Sequence, residues 1–129
     1  MNKRVDFSTL VGKTLVAIHV GDDEINFLDS EGHKYKMYHQ QDCCESVWLE
    51  DVNGDWDDLL GNPITVAEER TSYAGEEGDI GEPADNSYID DSYTWTFYTI
   101  STIKGTVDLR WFGTSNGYYS ETADFLQVE

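Results

Sequence analysis

The feature that most constrains the fold is the spacing of the apolar residues, which mostly recur at every second position. That period is typical of β-strands with one buried face. The predicted strands are short and are separated by polar turns. They cover residues 14–20, 24–28, 34–40, 46–52, 64–69, 93–103, 106–113 and 118–128. The series predicts a mainly β protein of the β-rich α+β class, with an antiparallel sheet that is rolled or sandwiched.

Residues 55–60 depart from the strand period. Asp55, Asp57 and Asp58 lie at the start of this segment, where the dipole of a helix favours negative charge. Gly61 follows, and glycine commonly ends helices. The segment therefore predicts one short helix among seven or eight strands.

The chain has the length of one domain, and we treat residues 1–129 as a single unit. Apolar residues make up 39% of it and aromatic residues 13%, which is enough for a buried core. Residues 71–92 differ, because they contain three glycines, one proline and neither lysine nor arginine. This composition predicts a long acidic loop, and loops of that length are either functional or disordered.

The net charge excludes several partners. The chain has 26 acidic and 8 basic residues, a formal charge of -18. Nucleic-acid binding rests largely on basic residues that neutralise phosphates, so we expect no direct nucleic-acid binding. An anionic membrane surface is disfavoured for the same reason. The sequence has no apolar run long enough to span a membrane and no signal-like start, so we expect a cytoplasmic protein.

The two cysteines, Cys43 and Cys44, are adjacent. A disulfide between adjacent residues strains the peptide that joins them. We therefore expect both thiols to be reduced, as in cytosolic proteins.

The acidic residues are concentrated in one region. Residues 37–103 contain 16 of them and a single basic residue, Arg70. Duplex DNA carries about one negative charge per 1.7 Å of its axis, and residues on one face of a strand repeat at about 6.6 Å. This region therefore predicts a DNA-mimicking surface that binds a basic, nucleic-acid-binding protein. The predicted partner-binding residues are Asp42, Glu45, Glu50, Asp51, Asp55, Asp57, Asp58, Glu76, Glu77, Asp79, Glu82, Asp85, Asp90 and Asp91.

A solvated acidic face without a dedicated partner is the alternative to that surface. A different function is the binding or sequestering of a nucleotide-like small molecule, for which hydroxyl, amide and phenol groups are suitable. Its pocket would comprise His39, Gln41, Asp42, Ser115, Asn116, Tyr118, Tyr119 and Glu121. The negative charge disfavours an anionic ligand unless Arg70, Lys104 or Arg110 lines the pocket.

The segment that contains His39, Cys43 and Cys44 carries metal-ligating groups but lacks the Cys-x2-Cys spacing of structural zinc sites. Residues 51–62 resemble the start of a calcium loop, yet Trp56 stands where that loop needs glycine. The motifs of nucleotide-binding loops and of serine hydrolases are absent. We expect no metal, no cofactor and no enzymatic activity.

Five further apolar residues alternate along the two strongest predicted strands, and we assign them to the core. They are Trp95, Phe97, Val107, Leu109 and Trp111.

Several stretches carry a family resemblance. They include Gln41-Asp42-Cys43-Cys44-Glu45, Thr94-Trp95-Thr96-Phe97-Tyr98 and Ser115-Asn116-Gly117-Tyr118-Tyr119-Ser120-Glu121. On these the chain resembles an uncharacterised family of small acidic proteins encoded by bacteriophages and prophages. The resemblance implies a phage origin and supplies no mechanism. Together with the acidic charge, it leads us to expect an anti-defence protein that inhibits a basic host enzyme of restriction or CRISPR defence.

Overall fold

The computed structural model describes residues 3–21, 23–39, 44–73, 80–81, 92–115 and 120–128. These residues form nine strands in two antiparallel sheets that do not close into a barrel, so the predicted mainly β class is confirmed. The strands are β1 Lys3–Arg4, β2 Leu15–Val20, β3 Glu24–Asp29, β4 Lys34–Tyr38, β5 Ser46–Asn53, β6 Val66–Tyr73, β7 Ser92–Thr102, β8 Gly105–Ser115 and β9 Asp124–Val128.

The first sheet has five strands in the order β1-β9-β4-β3-β2. Its β2–β3–β4 meander follows the predicted turns. The carboxylate of Asp29 holds the β3–β4 turn, because it accepts the backbone N–H groups of Glu31 (2.9 Å) and His33 (2.8 Å). Gly32 occupies this turn with φ +89°, a conformation that favours glycine.

The second sheet has four strands in the order β5-β8-β7-β6. Strands β7 and β8 have 11 residues each and form one long hairpin. They lie in the middle of the sheet because β5 pairs with β8 and β6 pairs with β7.

The core lies between the two sheets. The indole N–H of Trp111 donates to Met37 Sδ across it (3.2 Å). Phe7 is in the first 3₁₀ helix, Phe7–Leu10, and its ring meets those of Tyr98 (4.7 Å) and Phe125 (5.1 Å) edge-on. Buried side chains of the core include Leu15, Ile25, Phe27, Tyr35, Ala67, Ile100, Val107 and Leu109.

The predicted short helix is a 3₁₀ helix, Trp56–Leu59. Asp55 is its N-cap, since its side chain accepts the backbone N–H of Asp57 (3.0 Å). Gly61 follows with φ +80°, as a chain-reversing glycine should.

Two predicted boundaries are wrong. Strand β6 continues to Tyr73, so the loop predicted for residues 71–92 is shorter, and residues 74–79 and 82–91 lie outside the described part. The last strand starts at Asp124, six residues later than predicted. Before β9, Glu121 is buried and accepts a hydrogen bond from the hydroxyl of Thr94 on the second sheet (2.8 Å). The chain therefore contacts the second sheet at residue 121 before β9 pairs in the first sheet.

Four of the five residues assigned to the core are buried, and the assignment is wrong for Phe97, which is only half-buried. Strand register places Val107, Leu109 and Trp111 on the inner face, whereas Trp95 and Phe97 point to the opposite face of the sheet. Trp95 is nevertheless buried, because a second aromatic cluster forms on that outer face.

The predicted reduced state is wrong for Cys44, which is disulfide-bonded. Cys43 lies outside the described residues. The argument for a cytosolic protein from reduced thiols therefore loses its support.

In the described part of the chain, no helix is long and apolar enough to cross a membrane.

Candidate functional site

Four side chains form a row across the outer face of the four-stranded sheet. Asp51 on β5 is opposite Arg110 on β8, Arg110 is opposite Phe97 on β7, and Phe97 is opposite Arg70 on β6. Side chains directly opposite in an antiparallel pair lie about 5 Å apart. The pairing therefore brings together an acid, an aromatic ring and two cations from distant parts of the sequence.

A second, polar row lies two residues along the strands, on the same face. Asn53 is opposite Asp108, Asp108 is opposite Thr99, and Thr99 is opposite Glu68. The Thr99 hydroxyl donates to Asp108 Oδ1 (2.7 Å) and fixes that carboxylate. The two rows and Glu69 line a groove of about 610 Å³, which we call the sheet groove.

The two arginines of the sheet groove lie over aromatic rings. The Arg70 guanidinium is 4.4 Å from the centroid of Phe97, and that of Arg110 is 5.3 Å from the centroid of Trp95. Arg110 also pairs with Glu50. Within the described residues Arg70 forms no ion pair. Stacking on a ring is favourable for a guanidinium and holds its plane in place.

The lining of the sheet groove is acidic in sum. The outer-face side chains of this lining contribute three carboxylates, those of Asp51, Glu68 and Asp108, against the two guanidiniums, whereas Glu69 is opposite Tyr98 and faces the other side of the sheet. A cationic group that entered it would meet more negative than positive charge, with the Phe97 ring at the centre.

An aromatic cluster adjoins the sheet groove on the same face. The rings of Trp48, Tyr93 and Trp95 surround Phe112 at centroid distances of 5.1, 5.6 and 4.8 Å. The Trp95 indole N–H donates to the Gly81 carbonyl (2.8 Å), so residues 80–81 lie against this cluster. Among the residues that the structure describes, one end of the outer face is thus covered, while the end with the sheet groove is open.

The acidic surface continues at the second 3₁₀ helix. Asp55 and Asp57 are exposed there and Asp58 is half-buried. The hydroxyl of Thr102, in the β7–β8 hairpin, donates to the Asp58 carbonyl. This contact places the helix beside the end of the sheet where Asn53 and Asp108 pair.

The predicted partner-binding residues divide into three groups. Asp51, Asp55 and Asp57 are exposed and Asp58 is half-buried, and Asp51 also lies 4.0 Å from the Arg110 guanidinium. Glu45 is buried and Glu50 is paired with Arg110, so neither is a free surface acid. The remainder lie outside the described residues, namely Asp42, Glu76, Glu77, Asp79, Glu82, Asp85, Asp90 and Asp91.

Sequence reasoning missed Glu68 and Asp108 as site residues. A signal was present, since each stands on a predicted strand two positions before an arginine, as Glu68 before Arg70, just past the predicted strand end, and Asp108 before Arg110. Residues two apart share a strand face.

The two segments of the predicted small-molecule pocket do meet. His39 Nδ1 is 2.8 Å from the Thr122 carbonyl oxygen, and His39 Nε2 is 2.8 Å from Glu45 Oε2. The side chains of His39 and Glu45 are only 3% and 0% exposed. Glu121 is buried as well and accepts the hydroxyls of Ser92, Thr94 and Ser115.

The described part of the predicted pocket is therefore a buried polar junction, in which Glu121 binds Ser115 while His39 binds Glu45 and Thr122. Gly113 supports it, since a Cβ there would lie 1.9 Å from the Glu121 carbonyl oxygen. The other predicted members, Gln41, Asp42, Asn116, Tyr118 and Tyr119, lie outside the described residues. Among the side chains that the structure describes, no group of three could hold a metal ion.

Residues 8–125 match a domain of unknown function, DUF7448, and the chain belongs to this family. No curated protein and no solved structure shows significant similarity to the chain.

Proposed function

We propose that the protein binds a basic partner protein, and that the sheet groove is the centre of the contact. The observation that carries this proposal is the excess of carboxylates among the side chains that line the groove on the outer face of the four-stranded sheet. A lysine or arginine side chain of the partner would enter the groove, lie against Phe97 and pair with Asp51, Glu68 or Asp108. The acids of the second 3₁₀ helix would extend the contact.

The net charge of -18 and the resemblance to phage proteins support a more specific proposal. The partner would be a nucleic-acid-binding enzyme of the bacterial cytoplasm, and the acidic face would occupy the surface that normally takes phosphates. The protein would then be a phage-encoded inhibitor of restriction or CRISPR defence. The proposed role is one of binding, with no catalytic step.

The test compares two variants that remove equal charge. One carries Asp51→Asn, Glu68→Gln and Asp108→Asn in the sheet groove. The control carries Asp6→Asn, Asp23→Asn and Glu31→Gln, which are exposed acids outside the groove. Each protein is immobilised and exposed to bacterial lysate. A partner that is retained by the wild type and the control, but bound at least about tenfold more weakly by the groove variant, supports the proposal. Equal loss in both variants would show that only the overall charge matters.

Ligand binding in the same groove is a second candidate function. It is favoured by Arg70, which faces the Phe97 ring without an acidic partner among the described residues. A nucleotide could stack its base on the ring and pair its phosphate with Arg70. Calorimetric titration with ATP tests this alternative: saturable heat in the wild type and none in Arg70→Gln supports it, whereas no heat in the wild type eliminates it for this nucleotide.

A further inference from the structure

The two sheets have four edge strands, and three of these carry charged side chains. Strand β1 consists of Lys3 and Arg4, β5 contains Glu50 and Asp51, and β6 runs through residues 68–70 with two acids and one arginine. Charges on edge strands oppose pairing with another strand. Strand β2, Leu15–Val20, has no acidic, lysine or arginine residue. In the part of the chain that the structure describes, no strand pairs with the outer side of residues 16–20, whereas Thr14 and Leu15 form isolated bridges with Pro63 and Leu60.

The hydrogen-bond pattern identifies the free backbone groups of β2. The Gly21 N–H donates to the Glu24 carbonyl, so this residue pair is a hydrogen-bonded one. Pairs alternate along an antiparallel ladder, and Val20 and Ile18 therefore direct their N–H and C=O groups away from β3. At the start of the strand the outward carbonyl of Leu15 is already bound by the Gly61 N–H.

The side chains at this edge are apolar and incompletely covered. Val16 and Val20 are 51% and 45% exposed, although both belong to a strand. Ile18 is opposite Phe27 and Val20 is opposite Ile25, both of which are core residues. The inner, apolar face of the first sheet therefore continues to the edge and remains open there.

The charge distribution selects a second copy of this chain as the occupant. Residues 1–38 contain five basic and six acidic residues, whereas the other 91 residues contain three basic and 20 acidic residues. Two copies of a protein with a charge of -18 repel each other, and they approach at least cost through their nearly neutral parts. Strand β2 lies in that part.

We propose that two copies associate through antiparallel pairing of β2 with β2, about a two-fold axis near His19. Ile18 and Val20 of one copy would bond Val20 and Ile18 of the other, so all the free backbone groups would be used. The two five-stranded sheets would form one continuous sheet, a self-complementary arrangement that a two-fold axis permits. The sheet grooves lie on the other sheets and would remain open, so the dimer would present two of them.

The first experiment is sedimentation equilibrium over a series of protein concentrations. We expect a reversible dimer that tightens when salt is raised, because salt screens the repulsion between the copies while the bonded residues Ile18 and Val20 are apolar. Val20→Lys should raise the dimer dissociation constant at least about tenfold, since two ammonium groups would then lie at the interface. The control Ile103→Lys makes the same charge change at an exposed turn and should leave the constant unchanged. A wild type that stays monomeric, or a dimer that Val20→Lys leaves intact, overturns the proposal.

A cross-link provides the second measurement, in case Val20→Lys fails to fold. His19→Cys would place two thiols opposite each other across the axis, and mild oxidation should yield a covalent dimer at higher yield than the wild type gives. Ile103→Cys is the matched control and should give no excess. Equal yields from the two variants would exclude this pairing. A dimer seen in sedimentation would then have to form through another surface.

Discussion

His39 and Glu45 meet in a buried contact, with His39 Nε2 2.8 Å from Glu45 Oε2. Their side chains are only 3% and 0% exposed. On the other side of the ring, His39 Nδ1 lies 2.8 Å from the Thr122 carbonyl oxygen, which can only accept, so Nδ1 donates this hydrogen bond. The ring is therefore held between two oxygen atoms from different parts of the chain.

Glu45→Ala should destabilise the fold by about 3 kcal/mol, because it leaves the Nε2 atom of His39 buried without this partner. Glu45→Gln should cost about 1 kcal/mol, since the amide can still form a hydrogen bond with Nε2 of His39. Denaturant unfolding measures both values. Glu31→Ala is the control at an exposed glutamate, with an expected change below about 0.5 kcal/mol. If the two Glu45 variants were equally destabilised, the hydrogen bond to His39 would not be what matters.

Gly113→Ala should destabilise the protein by about 3 kcal/mol or more, because the new methyl group would overlap the Glu121 backbone. Gly21→Ala is the control, since its Cβ would lie 3.3 Å from the nearest atom and requires only a small adjustment. Thermal unfolding compares the variants. A fully stable Gly113→Ala would contradict the close approach of residue 121 to β8.

The stability of the β3–β4 turn should depend on acid pH through Asp29. Burial acts to raise the pKa of this carboxyl, but hydrogen bonds from the His33 backbone, the His33 ring and the Glu31 backbone outweigh it, and the pKa is lowered. A pKa below the unfolded value of about 3.9 means that the unfolded chain binds the extra proton first. The contribution of Asp29 is therefore complete above that value and is lost as the pH falls through the folded pKa.

Asp29→Asn tests this pH dependence. The difference in unfolding free energy between wild type and variant should be about 1–2 kcal/mol at neutral pH and should shrink below about pH 4. Asp23→Asn, at an exposed position, is the control and should show no such trend. A difference for Asp29→Asn that stays constant down to about pH 2 would contradict the lowered pKa.

The local pattern of the chain predicted most of the strands because alternation and turn residues are local signals. The β2–β3–β4 meander and the β7–β8 hairpin lie close to their predicted bounds. Sequence alone left open how the strands divide into sheets. Trp95 and Trp111 both alternate correctly, yet they lie on opposite faces, because Trp95 covers a second aromatic cluster instead of the core.

The sheet groove could be predicted only in part. The acidic composition was visible in the sequence, and Arg70 and Arg110 were named there as residues that an anionic ligand would need in its pocket. The position of the two arginines on either side of Phe97, however, depends on the register of three strand pairs. Burial of Glu45 could not be read from the sequence either, since it depends on His39 and on Thr122, which is distant in the chain.

Competition with duplex DNA tests the central claim most directly. The immobilised protein is loaded with its captured partner and washed with a short DNA duplex at constant ionic strength. If the sheet groove and the adjoining acids occupy a phosphate-binding surface, the duplex should release the partner, and raising the salt from about 0.1 M to about 1 M should release it as well. A partner that excess DNA leaves fully bound, while salt or the variants in Asp51, Glu68 and Asp108 release it, would show that the groove binds a basic surface other than the one that binds nucleic acid. A partner that all of these leave bound would contradict the role of the groove itself.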